Sequence, residues 1–192
     1  GYTVSYNKDK KIPNWVANEL TKKKTKGNIK RNERFIADPV VKGGMANNSD
    51  YSRSGFDKGH MAPAADMKWS NQSMIESFYF SNVCQQHPEL NRRKWKTLDD
   101  KVREWAVADS AILIICGPVT NKKSPVIGKN RVTVPSKFFK VILSLHGSTP
   151  KAIGFIFKNE RAIAPLRNYA VSIDSIEQLS GLDFFSSLPD SL

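Results

Sequence analysis

Three segments in the second half of the chain are almost continuously apolar: Ala111 to Val119 (AILIICGPV), Val134 to Leu145 (VPSKFFKVILSL) and Lys151 to Phe157 (KAIGFIF). Each is rich in β-branched or aromatic residues and bounded by Gly or Pro, which predicts the buried strands of a sheet. Ser77 to Val83 (SFYFSNV) alternates in the manner of one further strand. Pro88 to Val107 changes period, with Trp95, Leu98, Val102 and Trp105 on one stripe, which predicts a helix with Pro88 in its first turn. A short helix is expected at Ser175 to Leu179, stopped by Gly181. The first thirty residues read as an edge element and a basic loop, with Lys22, Lys23, Lys24 and Lys26 as a flexible charged tract. Asp38 to Gly55 is dense in Pro, Gly, Asn and Ser and reads as a long irregular connection, of a kind that is often functional. No repeat and no second domain is visible, so residues 1–192 are expected to form one domain.

Composition supports a folded chain: 40% of residues are hydrophobic, against 25% charged. The 30 basic and 18 acidic side chains leave a formal charge of +12, so polyanions are the natural partners. Charge alone would equally describe a solvated basic surface. Cys84 and Cys116 match no disulfide framework and no zinc spacing, which leaves the redox compartment open. The longest purely apolar run, Ala111 to Cys116, is far short of the ~20 residues of a membrane span, and no membrane insertion is expected. The sequence begins at Gly1 without a signal-like apolar region, and a leader is expected to have been removed or to lie outside it.

No phosphate-cradling GxxxxGK[ST] loop, no GxSxG elbow and no HExxH pair is present. Any imidazole base must be His60, His87 or His146. His87, before Pro88, reads as a helix-start residue, and His146, before Gly147, as a turn residue. His60 lies in GFDKGHMAP beside a carboxylate and a cation. Taken alone, such a histidine is more often a hydrogen-bonded structural residue.

The context of His60 changes that balance. The runs GFDKGHMAPAAD (Gly55 to Asp66), MIESFYFSNVCQQ (Met74 to Gln86) and LNRRKWKTLDDKVREW (Leu90 to Trp105) resemble the DNA/RNA non-specific endonucleases of the endonuclease G type, within the ββα-metal nuclease superfamily. The likeness extends upstream to Arg34, Asp38 and Pro39 and downstream to SIDSIEQLSGLDFF, and so covers most of the chain. It implies an α+β fold in which a central, mainly antiparallel sheet is flanked by helices and carries a ββα-metal motif. It further implies a Mg²⁺-dependent hydrolase of DNA and RNA, with Mn²⁺ as a substitute metal. His60 would be the general base and Asn91 the one direct protein ligand of the metal. Arg34, Lys58 and Arg103 would hold phosphate or developing charge, Asn82 would help position groups, and Asp99 would act through metal-bound water. A homodimer is compatible with the family. Secretion or a periplasmic location is expected, with a mitochondrial one as the alternative, because a free nuclease would be toxic in the cytoplasm.

The residue types suit that chemistry. Neutral imidazole is a base near physiological pH, and Mg²⁺ keeps most of its waters, so one amide oxygen can suffice as a protein ligand. On a helix, Asn91, Asp99 and Arg103 would drift only about 120° around the axis. Taken singly, Asn91 reads as a cap amide, Asp99 and Arg103 as a surface i,i+4 pair, and Arg34 as a solvated cation. Three positions depart from the family pattern: Lys58 stands where Arg is usual, Gln85 where Pro is usual, and Asp99 where Glu is usual. Lys58 keeps the charge without the planar fork of Arg. The alternative function is an impaired, nuclease-like domain that only binds nucleic acid; the presence of both His60 and Asn91 argues against it.

Overall fold

The strand predicted over 134–145 is the clearest guide to the architecture, and in the computed structural model it spans Lys137–Ser144 with nearly every side chain buried. The structure describes residues 1–146 and 150–186. In chain order its elements are β1 (Thr3–Asn7), β2 (Ile12–Thr21), α1 (Asn48–Tyr51), β3 (Asp57–His60), α2 (Asn71–Ser77), β4 (Val83–Gln86), α3 (Lys96–Ala108), β5 (Ala111–Val119), β6 (Val126–Ile127), β7 (Val132–Thr133), β8 (Lys137–Ser144), β9 (Lys151–Lys158), β10 (Ala170–Val171) and α4 (Ile173–Ser180). Six strands form one antiparallel sheet in the order β1-β2-β5-β8-β9-β10.

The two faces of this sheet are covered by different helices, so its central strands are apolar on both sides. Along β8, Phe138 and Ile142 join the core that holds Trp95, Leu98, Val102 and Ala106 from the α3 region. Phe139 and Val141 point the other way, to Ile176 of α4 and Phe184. Helix α4 starts with Ser172, whose hydroxyl accepts from the Ser175 amide, and ends at Gly181, whose φ of 71° is the left-handed turn that glycine tolerates.

Several expectations from the sequence need correction. The first thirty residues supply not one edge element but an edge strand and an interior strand, since β2 pairs with β1 and β5 and buries Ile12, Val16 and Leu20. Polar Asn14 and Asn18 and the ladder-breaking Pro13 hide the pattern; Pro13 is accommodated because it faces Tyr6, where the register of β1 shifts. Within the lysine tract, Lys24 bonds the Glu19 carboxylate at 3.0 Å and sits over the Trp69 ring, while Lys22, Lys23 and Lys26 are exposed. Within Asp38 to Gly55, Asn47 and Asp50 form a capping box that starts the single turn α1. Ser77 to Val83 is not a strand. It is the end of α2 followed by a 3-10 turn at Phe80–Asn82, and β4 begins only at Val83. Phe78 and Phe80 alternate because both are buried, but from irregular backbone.

Strands β3 and β4 pair from Asp57↔Gln86 to His60↔Val83. Gly59 permits their close approach, because a Cβ there would lie 2.4 Å from the Gln86 side chain. The predicted helix over 88–107 follows β4, opening with a π-turn at Leu90–Trp95 before continuing as α3. This is a ββα unit, laid against β2 and β5 through α3.

Candidate active site

Residue alternation in β3 puts Lys58 and His60 on one side of the strand. With Arg31, Asn91, Asp99 and Arg103 they line a cleft of about 500 Å³ between the β3-β4 ribbon and α3. The His60 ring packs on Phe35 and stands edge-on to Phe78, with centroids 5.2 and 4.8 Å away. Its Nε2 is buried without a hydrogen-bond partner among the described residues. Burial, with the Arg31 charge nearby, pushes the His60 pKa down to about 3. The ring is therefore neutral at physiological pH.

Asn91 sits in the π-turn, a feature often found at functional sites. Its Nδ2 donates to Asp57 Oδ2 at 2.9 Å, and the same carboxylate receives Arg92 through Nε and Nη2 at 2.8 and 2.7 Å. Burial opposes charge on Asp57, but these donors win and hold its pKa below the usual value. A carboxylate only accepts, so it fixes the Asn91 amide with nitrogen inward and leaves Oδ1 without a partner among the described residues.

A buried ionic network underlies the cleft. Lys140 of β8 is 1% exposed, contacts Asp99 Oδ1 and lies 4.3 Å from the Trp95 ring centroid. Burial disfavours its ammonium, but the Asp99 carboxylate holds the pKa above the ordinary lysine value. Arg103 bonds Asp66 at 2.8 Å and also contacts Asp100. Burial and the neighbouring Asp99 push Asp66 up to about 6, so it is a carboxylate paired with Arg103 at pH 7.

Of the seven predicted site residues, the structure brings His60, Lys58, Asn91, Asp99 and Arg103 together in the cleft, whereas Arg34 and Asn82 do not line it. Arg34 is exposed and does not line the cleft; Arg31 does. Asn82 is fully buried, and its amide accepts from Ala62 N and donates to the Ala62 and Ser77 carbonyls, so it fixes the backbone just after His60. Lys58 bonds Asn48 Oδ1 at 2.7 Å and lies over Phe35. Gln85, in place of the usual Pro, bonds the Tyr51 hydroxyl. His87 accepts from the Glu89 amide at the helix start, as expected; the turn expected at His146 and Gly147 falls partly outside the described residues. Cys84 and Cys116 are free, buried thiols.

Sequence reasoning missed Asp57, Arg31 and Lys140. Lys140 did carry a signal, a lone charge inside FFKVIL, since lysine is almost never buried without a partner. Asp57 and Arg31 offered none, because their contacts depend on the π-turn and on an irregular segment.

A metal ion would not find a cage of His, Cys, Asp and Glu here, since no group of three exists among the described residues. The donor set instead fits a hard ion that retains its waters. The unpartnered Asn91 Oδ1 could offer such an ion one neutral oxygen, and Asp99 lines the same cleft.

The model of the DNA/RNA non-specific endonuclease family matches residues 1–191. The chain belongs to this family. Among its members, human mitochondrial endonuclease G is 35% identical over 203 residues, covering 97% of this chain and 68% of that protein. Human mitochondrial nuclease EXOG is 35% identical over 205 residues, but the chain spans only 56% of its length. A nuclease from a Nostoc species is 33% identical across the whole chain. A crystal structure of EndoG in complex with EndoGI superimposes with a TM-score of 0.93 over 98% of this chain and 84% of that one, at 30% identity. The shared α+β architecture of this endonuclease family, including the large antiparallel sheet, is therefore present throughout the chain.

Proposed function

We propose that the cleft hydrolyses phosphodiester bonds of DNA and RNA without base readout. The observation that carries this reading is the pairing of a neutral, walled-in His60 with a free Asn91 oxygen in one basic cleft. Proton removal from an attacking water falls to Nδ1 of His60, because Nε2 is sealed in the protein. The depressed pKa keeps His60 in its base form, and the incoming phosphate offsets the Arg31 charge that weakens it. Arg103, anchored by Asp66, and Lys58, held over Phe35, supply positive charge where phosphate oxygens gather negative charge.

Asn91 Oδ1 would hold Mg²⁺, or Mn²⁺ in its place, and Asp99 would reach it through water. When bound, the ion stabilises the negative charge of the five-coordinate phosphorus and the leaving oxygen. Asp57 positions Asn91 for that task. The lack of sequence preference follows from groups that contact phosphate and not base edges. Such an activity calls for confinement away from the cell's own nucleic acids. The mitochondrial names of the endonuclease G and EXOG relatives favour the organellar alternative over export.

His60→Ala should lower nicking of supercoiled plasmid by about 10²- to 10⁴-fold while salt-dependent DNA binding persists. Undiminished nicking by this variant would remove His60 from the chemistry.

A further inference from the structure

The cleft around His60 continues along the protein surface. A second depression of about 460 Å³ shares Arg92, Lys96 and Asp100 with it and adds Arg93, Lys94 and Arg161. A third, of about 470 Å³, shares Arg161 and Ala162 with the second and extends to Lys137 and Lys158. The two extensions together are lined by seven basic and two acidic side chains. Arg92, Arg93 and Lys96 are already in ion pairs with Asp57, Glu89 and Asp100, but their side chains are about two-thirds exposed or more. The Arg93–Glu89 and Lys96–Asp100 pairs contribute little and can yield to a phosphate, whereas Arg92 keeps its two-pronged grip on Asp57 and presents the rest of its charge to the groove. Arg161 is exposed, has no ion-pair partner among the described residues and lines both depressions.

Apolar surface alternates with this charge. Ile163 is 76% exposed beside Arg161, and Tyr169, stacked on Phe157, faces the third depression. The Tyr169 hydroxyl accepts from the Ala164 amide and so ties down the segment that bears Arg161 and Ile163. A chain with charges at regular intervals and flat faces between them matches this lining. We infer that the groove holds the phosphate backbone of the substrate strand on one flank of the cleavage point, with Arg161 as the joining contact. The inference rests on the nuclease reading of the cleft and adds a direction for the strand: over the π-turn and toward the edge formed by β9 and β10.

The test is Arg161→Glu, with Arg161→Gln as the milder variant should charge reversal lower the melting temperature. Two substrates are compared, an oligonucleotide long enough to run the groove and the p-nitrophenyl phosphodiester of thymidine, which fills the cleft alone. Arg161→Glu should lower kcat/KM on the oligonucleotide by about tenfold and leave the small diester untouched. In the His60→Ala background, Arg161→Gln should flatten the slope of log affinity against log salt by about 0.7 to 0.9, the loss of one phosphate contact. Equal losses on both substrates, or no loss with an unchanged slope, would overturn the groove. Should the unaltered protein cleave neither substrate, the nuclease reading falls, and the salt slope alone then decides the groove.

Discussion

Two neighbouring residues of β8 show the contrast on which the molecule is built. Phe138 packs against Trp95 within an apolar core, while Lys140, two positions on and on the same face, carries a charge to Asp99 beneath the cleft. The sheet around Phe138 follows local rules: β-branched and aromatic residues, antiparallel register, apolar cover on both faces. The ribbon and π-turn around His60 break them, with a buried ion pair, an orphaned ring nitrogen and a helix that opens with the wrong pitch. Departures of this kind lower stability and are retained where function needs them. The sheet sets stability, and the cleft carries buried polar and charged groups on top of it.

That division can be broken by mutation. The largest effect is expected in the sheet, where Phe138→Ala should cost about 3–5 kcal/mol in denaturant unfolding and leave the activity per folded molecule unchanged. A drop in specific activity at full folding would show that sheet and site are not separable. Lys140→Met comes next. It leaves Asp99 buried without its partner, and breaking such a pair costs roughly 3 kcal/mol or more. Unlike Phe138→Ala, it should also alter the metal requirement, because Asp99 loses its anchor; a pure stability loss would make Lys140 a core residue and nothing more.

Asp57→Ala sharpens the contrast from the other side. Releasing the Asn91 amide should raise the Mg²⁺ concentration for half-maximal cleavage by about 10- to 100-fold, as expected for a group that orients a metal ligand. An unchanged Mg²⁺ titration would show that the π-turn holds Asn91 unaided. The smallest effect is in pH. His60 titrates near 6.5 when unfolded and near 3 when folded, so between those values the unfolded chain binds a proton that the native one does not. Stability from this group is thus complete above pH 6.5 and is lost as pH falls, by about 2 kcal/mol between pH 6.5 and 5 at 1.36 kcal/mol per unit. His60→Gln should flatten that part of the stability curve; an identical acid slope would mean that the ring is solvated.

The same contrast explains what was legible in the sequence. β8 could be read because nearly every side chain is buried, and β5, β9 and the stripe of Leu98 and Val102 because their buried positions carry apolar residues at strand or helix spacing. Helical spacing placed Asn91, Asp99 and Arg103 in one sector, but their roles and the link to His60 were legible only as a family resemblance. β2 was lost because Pro13 and two asparagines interrupt its alternation, and the Ser77 to Val83 segment misled because buried phenylalanines imitate a strand. Asp57 acts through a turn geometry that no spacing encodes. The family resemblance points to Arg34, while Arg31, three residues earlier in irregular backbone, is the arginine of that segment that lines the cleft.

Digestion of plasmid and of RNA by the pure protein, first in EDTA and then with Mg²⁺ restored, tests the central claim most directly, with Asn91→Ala run alongside. Cleavage of both substrates should stop in EDTA and return with Mg²⁺, and the variant should need far more Mg²⁺ or stay inactive. Undiminished cleavage in EDTA, or an Asn91→Ala variant with the original Mg²⁺ dependence, would contradict a metal-assisted cleft built on Asn91 and His60.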